Sequence, residues 1–269
     1  LRERFIARWP GVLLSLIGII ATLWLTVTGQ LGLYIHPRYF VFTAVMAVLA
    51  AVFTVAAFAI VPSADAELDD TEHDHAHDDH AHEPDHQPEE PGGKPPSGTA
   101  ALVGSVLVIV LTAGALLALP PATLTTSTVE KRDLNASVAG PTAESIDLTG
   151  GDYSSFTVKD WAALIRQGAS DDYFAGTPVT LTGFVTPDPD DAENVFYVAR
   201  FVVTCCAVDA QPVGVAVYAP GWQDRFPVDS WVTVTGEFDA NPSLASLQTT
   251  AITPVTIEET TQPNQPYVY

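Results

Sequence analysis

Val179-Thr180-Leu181-Thr182-Gly183-Phe184-Val185 alternates apolar and polar residues. A period of two marks a strand with one face against a core. Residues 196–203, 213–218 and 231–238 read as three more strands, and residues 251–257 as a fifth. Turn residues separate them: Pro187-Asp188-Pro189-Asp190-Asp191, Pro220-Gly221 and Asn241-Pro242. Five short strands of this kind predict a small OB-like β-barrel, with a β-sandwich as the alternative. Just upstream, Val158, Trp161, Leu164 and Ile165 keep helical spacing. Thr157 with Asp160 three residues later predicts a capping box, with Asp in place of the usual Glu or Gln. The barrel domain is therefore set at 156–260, preceded by a Thr-, Ser- and Gly-rich linker over 121–155. Residues 261–269, with Pro263 and Pro266, read as a loose tail.

Further upstream the pattern changes completely. Residues 12–28 carry no charge, and their apolar character continues through Ile35. A second uncharged run covers 39–61 and a third covers 99–119. A helix needs about 20 apolar residues to cross a bilayer core, and all three runs are long enough. Pro37 breaks the first from the second, Pro62 ends the second, and Pro120-Pro121 ends the third. A cleavable signal peptide is the alternative for the first run, but no small-x-small site followed by a soluble segment is present. The fold expected is membrane α plus soluble β: a helical hairpin over 1–61, a third span over 99–120, then the barrel. Arg2, Arg4 and Arg8 favour a cytoplasmic N-terminus in a multi-pass plasma-membrane protein. The C-terminal domain is then extracellular. Arg38, Lys131 and Arg132 pull against that orientation.

Between the second and third runs lies Glu72-His73-Asp74-His75-Ala76-His77-Asp78-Asp79-His80-Ala81-His82-Glu83-Pro84-Asp85-His86, with six of the seven histidines of the 269-residue chain. Residues 62–98 have too little apolar surface to fold alone and read as disordered. His73, His75, His77, His80, His82 and His86 are candidate metal ligands. Imidazole suits zinc, copper and nickel, and neighbouring carboxylates add neutralising charge. A solvated acidic tether is the bland alternative, and proton sensing a third. The seventh histidine, His36, sits between the first two runs and reads best as an interfacial residue capping the hairpin.

The net charge of −21 excludes nucleic acid as a partner, because nothing neutralises a row of phosphates. The only cysteines, Cys205 and Cys206, are adjacent and follow a strand. Strand neighbours point to opposite faces, so one thiol is expected toward the core and one toward solvent. Asp209 is close enough in sequence to join them. A strained vicinal disulfide, a thiolate metal site, and one buried with one exposed thiol all fit. No Ser-His-Asp set and no phosphate-binding glycine loop can be assembled, so no enzyme activity is expected.

The chain resembles the DUF1980 family of bacterial permease-subunit proteins, one half of a two-component membrane permease. The residues that carry the resemblance begin with Tyr34-Ile35-His36-Pro37-Arg38, the His-rich loop and Arg132-Asp133-Leu134-Asn135. In the barrel they are Gly183-Phe184-Val185, the segment from Arg200 through Thr204-Cys205-Cys206-Ala207-Val208-Asp209-Ala210, and Pro212-Val213-Gly214-Val215. The resemblance implies a polytopic permease as partner. The expected function is thus a membrane-anchored accessory subunit that binds a divalent metal ion, zinc first, through the His-rich loop. Cys205, Cys206 and Asp209 are a second candidate site for substrate or redox chemistry. A membrane-tethered thiol redox protein and a purely structural partner are the alternatives.

Overall fold

The computed structural model describes residues 2–60, 98–118, 123–138, 153, 155–167 and 174–269. They divide into two compact units, one of residues 1–24 and 42–120, the other of 25–41 and 121–269.

The first unit is helical. Helix α1 spans Arg2–Val27, α2 Phe40–Ile60 and α3 Gly98–Ala118. Two helical stretches, Trp9–Val27 and Pro37–Ala57, are long and apolar enough to cross a membrane. Large apolar side chains such as Trp24, Phe42, Phe53 and Leu107 are exposed on these helices. The expected third span coincides with α3, whose apolar stretch among the described residues is the shorter Leu102–Leu116. The six histidines from His73 to His86 lie outside the described residues.

The second unit is built on six strands: β1 Pro178–Pro187, β2 Val195–Val202, β3 Gln211–Tyr218, β4 Trp231–Ala240, β5 Thr250–Thr260 and β6 Tyr267–Val268. Their order is β1-β4-β5-β3-β2-β6, and β1 also pairs with β2. The pairing path from β1 through β4, β5, β3 and β2 thus returns to β1. Neighbours are antiparallel except β3 with β5 and β2 with β6. Strand β1 runs along β4 up to Phe184↔Trp231 and along β2 from Phe184↔Ala199 onward. Gly183 sits at that exchange. A Cβ there would lie 2.5 Å from the Ala199 carbonyl oxygen and 2.8 Å from Val198 Cγ1. Only a residue without a side chain lets the two strands come so close.

The strands bury two sets of residues. One core takes Val179, Leu181, Val185, Val198, Val215, Val232, Val234 and Phe238 from the sheet. Helix α5, Val158–Arg166, closes it with Trp161. The rings of Phe156, Phe174 and Phe238 surround Trp161 at 5.2, 6.5 and 4.8 Å between centroids. The predicted capping box holds α5: the Thr157 amide donates to Asp160 Oδ2 at 2.7 Å, and the Asp160 amide donates back to Thr157 Oγ1. The second core takes Phe184, Tyr197, Ala199, Phe201, Val203 and Ala216 from the outer face. It explains why β2 and β3 read as continuous apolar runs rather than as alternation: both of their faces are covered. Strand β4 keeps the alternation, because one of its faces meets solvent.

Two expectations change here. Within the expected linker, helix α4, Thr126–Val129, and the turn after it are folded against the sheet. Asn135 is buried, with φ of 64°. Its side chain donates to the Gly214 carbonyl at 2.9 Å and accepts from the Gly214 amide at 2.8 Å. The tail is not loose either. Tyr267 and Val268 pair with Phe201 and Val202, Tyr267 is 4 % exposed, and Arg200 Nη1 donates to the Gln265 carbonyl at 3.1 Å. Polar composition hid one buried aromatic and one ladder, which are enough to fix a short segment.

Candidate functional site

Strand β2 ends at Val202, so Cys205 and Cys206 stand on the turn beyond it. The turn is shaped by Asp209. Its Oδ1 accepts from the Thr204 amide at 3.1 Å, and its Oδ2 accepts from the amides of Cys205 at 2.7 Å and Cys206 at 3.3 Å. Three successive amides converging on one carboxylate cannot belong to a flat strand. The expectation that the two thiols face opposite sides is therefore corrected. Cys205 is exposed, Cys206 is half-buried, and both thiols are free. The sulfurs and an Asp209 oxygen all lie within 4.8 Å of one another.

That spacing suits a cation. Around a tetrahedral ion with bonds of about 2.0–2.3 Å, ligand atoms stand roughly 3.3–3.8 Å apart. Small side-chain rotations close the difference. Asp209 Oδ1 has a single amide donor and keeps a lone pair for an ion. Three such ligands would leave one position of a tetrahedral ion open.

The surroundings come from two distant parts of the chain. Residues 34–38, between α1 and α2, lie along the cysteine turn. Ile35 forms an antiparallel bridge with Cys206. The His36 amide donates to the Cys205 carbonyl at 3.0 Å, and the Ala207 amide donates to the Tyr34 carbonyl at 2.8 Å. Arg38 Nη2 donates to the Thr204 carbonyl at 2.6 Å. From the other side, Arg132 Nη2 donates to the Val208 carbonyl at 3.0 Å. Arg132 Nη1 is buried with no hydrogen-bond partner among the described residues. Two guanidinium groups thus flank a turn that carries one carboxylate and two ionisable thiols.

Sequence reasoning named Cys205, Cys206 and Asp209, and the structure brings the three together. It missed the approach of residues 34–38. His36 does cap a turn, as the bland reading has it: its Nδ1 accepts from the Arg38 amide at 3.1 Å. Its ring lies 4.6 Å from that of Tyr269. A signal was available. The expected three spans would put the first inter-helix loop and the C-terminal domain on one side of the membrane.

Partial desolvation holds the Cys205 thiol above its ordinary pKa, helped by Cys206 and Asp209 and opposed by Arg38. The neutral thiol is favoured, so metal-free Cys205 is mostly protonated at neutral pH. We expect alkylation of metal-free Cys205 by iodoacetamide, followed by mass mapping, to rise with pH and to half-saturate above about 8.5, the value of a free thiol. A midpoint near 7 would contradict this environment. A bound cation must displace that proton, so metal affinity rises with pH until the thiol has ionised.

Family models described as the DUF1980 N-terminal domain and the DUF1980 C-terminal domain match residues 12–135 and 127–269. No curated protein and no solved structure matches the chain.

Proposed function

We propose a function from one premise: the chain belongs to the DUF1980 family. It is a membrane-anchored accessory subunit of a polytopic permease, and it holds a divalent metal ion of the zinc type at Cys205, Cys206 and Asp209. The observation that carries this reading is the convergence of two sulfurs and a carboxylate within 4.8 Å on an accessible turn. Two thiolates select a soft or borderline cation over calcium or magnesium. A dithiolate, carboxylate and divalent ion sum to a net charge of about −1, which the Arg38 guanidinium beside the site offsets. The His-rich loop collects the same ions with composition-driven, weaker binding.

The returning β1-β4-β5-β3-β2 path supports the OB-like barrel. The hydrogen bonds from residues 34–38 to 204–207 support three spans. Both segments belong to one unit and so lie on one side of a bilayer, with α2 and α3 between them in the chain. If α2 crosses, α3 has to cross back. With Arg2, Arg4 and Arg8 keeping the N-terminus in the cytoplasm, the site lies outside and the His-rich loop inside. Arg38 and Arg132, which pulled against that orientation, are held on the cysteine turn instead.

The adjacency of two free thiols favours thiol redox chemistry as a second reading. The raised Cys205 pKa is the opposite of what an attacking thiolate needs. The test is a cobalt titration of the full chain in detergent micelles. The metal reading expects a sulfur-to-cobalt charge-transfer band that saturates at one equivalent and is bleached by zinc. No such band at millimolar cobalt would end it.

A further inference from the structure

Strand β1 changes partners at Phe184, and the exchange leaves a split in the sheet. Upstream of it, residues 178–183 pair with β4 alone. On β2, Phe201 and Val202 pair with β6 in place of β1. Arg200 stands in the split. Its Nε donates to the Thr182 carbonyl at 2.9 Å on one side, and its Nη1 to the Gln265 carbonyl at 3.1 Å on the other. Its guanidinium carbon lies 5.3 Å from the centre of the Trp231 ring. Nη2 has no hydrogen-bond partner among the described residues, and no carboxylate there pairs with the group. The side chain is half-buried, and burial holds it below its ordinary pKa. A charge drawn from water toward neutral acceptors only is costly until an anion joins it.

Two cavities meet at this side chain. One, of about 440 Å³, is lined among others by Arg200, Lys159, Asp160 and Tyr269. The other, of about 150 Å³, reaches Thr180 and Leu181 on β1, and Arg200 lines it too. The larger volume is in the range of small-molecule sites. Lys159 Nζ donates to the Tyr269 main-chain oxygen at 3.1 Å. Asp160 is the one carboxylate side chain in the wall among the described residues. Its Oδ2 is taken up by the Thr157 amide and hydroxyl, each at 2.7 Å.

We infer that this split binds a carboxylate, with Arg200 as its anchor and Lys159 as a second cation. The inference is independent of the metal reading of the cysteine turn. Nη2 offers N–H donors for a charge-assisted bond to a carboxylate oxygen. Two cationic side chains against one capped acid suit a monoanion better than a phosphate dianion. A small organic acid and the end of an extended peptide both carry that group. A peptide has a further handle: the Thr180 amide and carbonyl share the edge of β1 from which the Thr182 carbonyl meets Arg200.

The full chain in micelles, titrated with butyrate labelled with ¹³C in the carboxyl group, tests this. We expect saturable broadening of the butyrate resonance at millimolar concentrations. Arg200→Gln should weaken binding at least about 10-fold, the worth of one charged hydrogen bond. Arg200 also ties β1 to the segment before β6, so Lys159 supplies a second series. Lys159→Gln should weaken binding about 3-fold, as loss of an exposed charge pair does, and Lys159→Arg should restore it. N-acetyl-dialanine binding more tightly than butyrate, and its amide not binding, assigns the carboxylate to a peptide end. Equal binding assigns it to a free organic acid, and either result supports the inference. No saturable broadening at tens of millimolar butyrate overturns it. So does broadening that Arg200→Gln and Lys159→Gln both leave unchanged, which belongs to the micelle. Inorganic phosphate binding more tightly than butyrate overturns the choice of a carboxylate.

Discussion

Replacing Cys205 and Cys206 together by Ser should abolish the cobalt charge-transfer band and weaken zinc binding at least 100-fold. Serine keeps the size and polarity of cysteine, but its hydroxyl does not ionise near neutral pH and is a hard donor. What remains is Asp209, already accepting three amides. The turn itself should survive, because those hydrogen bonds use the backbone of residues 204–206 and not the thiols. The substitution therefore separates chemistry from folding. The pH dependence supplies a second criterion. In the wild-type chain, affinity should climb with pH as thiol protons are displaced, and climb further than usual because the Cys205 thiol is held above its ordinary value. In the serine chain that climb should disappear. Zinc binding by competition against a chromophoric chelator, measured in a background with the loop histidines replaced, checks both. Unchanged affinity in the serine chain would remove the cysteines from the site.

Trp161→Ala should cost the β-unit about 3–5 kcal/mol, the range for deleting a buried large aromatic side chain. Trp161 is 1 % exposed, and no other side chain of α5 reaches as many rings. Its removal leaves a cavity between the helix and the inner face of the sheet. The capping box and backbone hydrogen bonds of α5 fix the helix in place and limit collapse into the gap. For a unit of this size the loss corresponds to a melting point lower by roughly 6–20 °C. Circular dichroism of the full chain in micelles reads this from the sheet signal. A drop of less than about 2 °C would mean that α5 does not close the core. Trp161 belongs to the first core, whereas the cysteine turn is flanked by Val203 and Ala210 of the second, so the zinc stoichiometry expected of the folded fraction should stay at one.

How much of this was legible beforehand follows from what each segment buries. Strands β1 and β4 could be read from alternation, because the sheet exposes one of their faces over much of their length. Strands β2 and β3 are nearly continuous apolar runs, since two cores cover them, and the turn residues between the segments helped to mark them as strands. The capping box was legible because both partners lie within four residues. Residues 123–138 were missed because their anchorage is not hydrophobic: Asn135 is held by two hydrogen bonds to Gly214, 79 positions away. The tail was missed for a related reason, a short ladder on β2 closed by Tyr267. At the site, the three candidate residues were legible as a cluster, but their geometry was not. Strand logic separated the thiols, and the Asp209 carboxylate, by gathering three amides, turned them together. The approach of His36 and Arg38 joins positions more than 160 residues apart. Only span parity hints at it in the sequence.

On this proposal a metal ion is bound by the cysteine turn and not merely by the His-rich loop. Zinc-edge X-ray absorption of the unmodified full-length chain, loaded with one equivalent of zinc, tests it most directly. Two sulfur scatterers at about 2.3 Å beside nitrogen or oxygen at about 2.0–2.1 Å are the predicted result. A first shell of nitrogen and oxygen alone would contradict it.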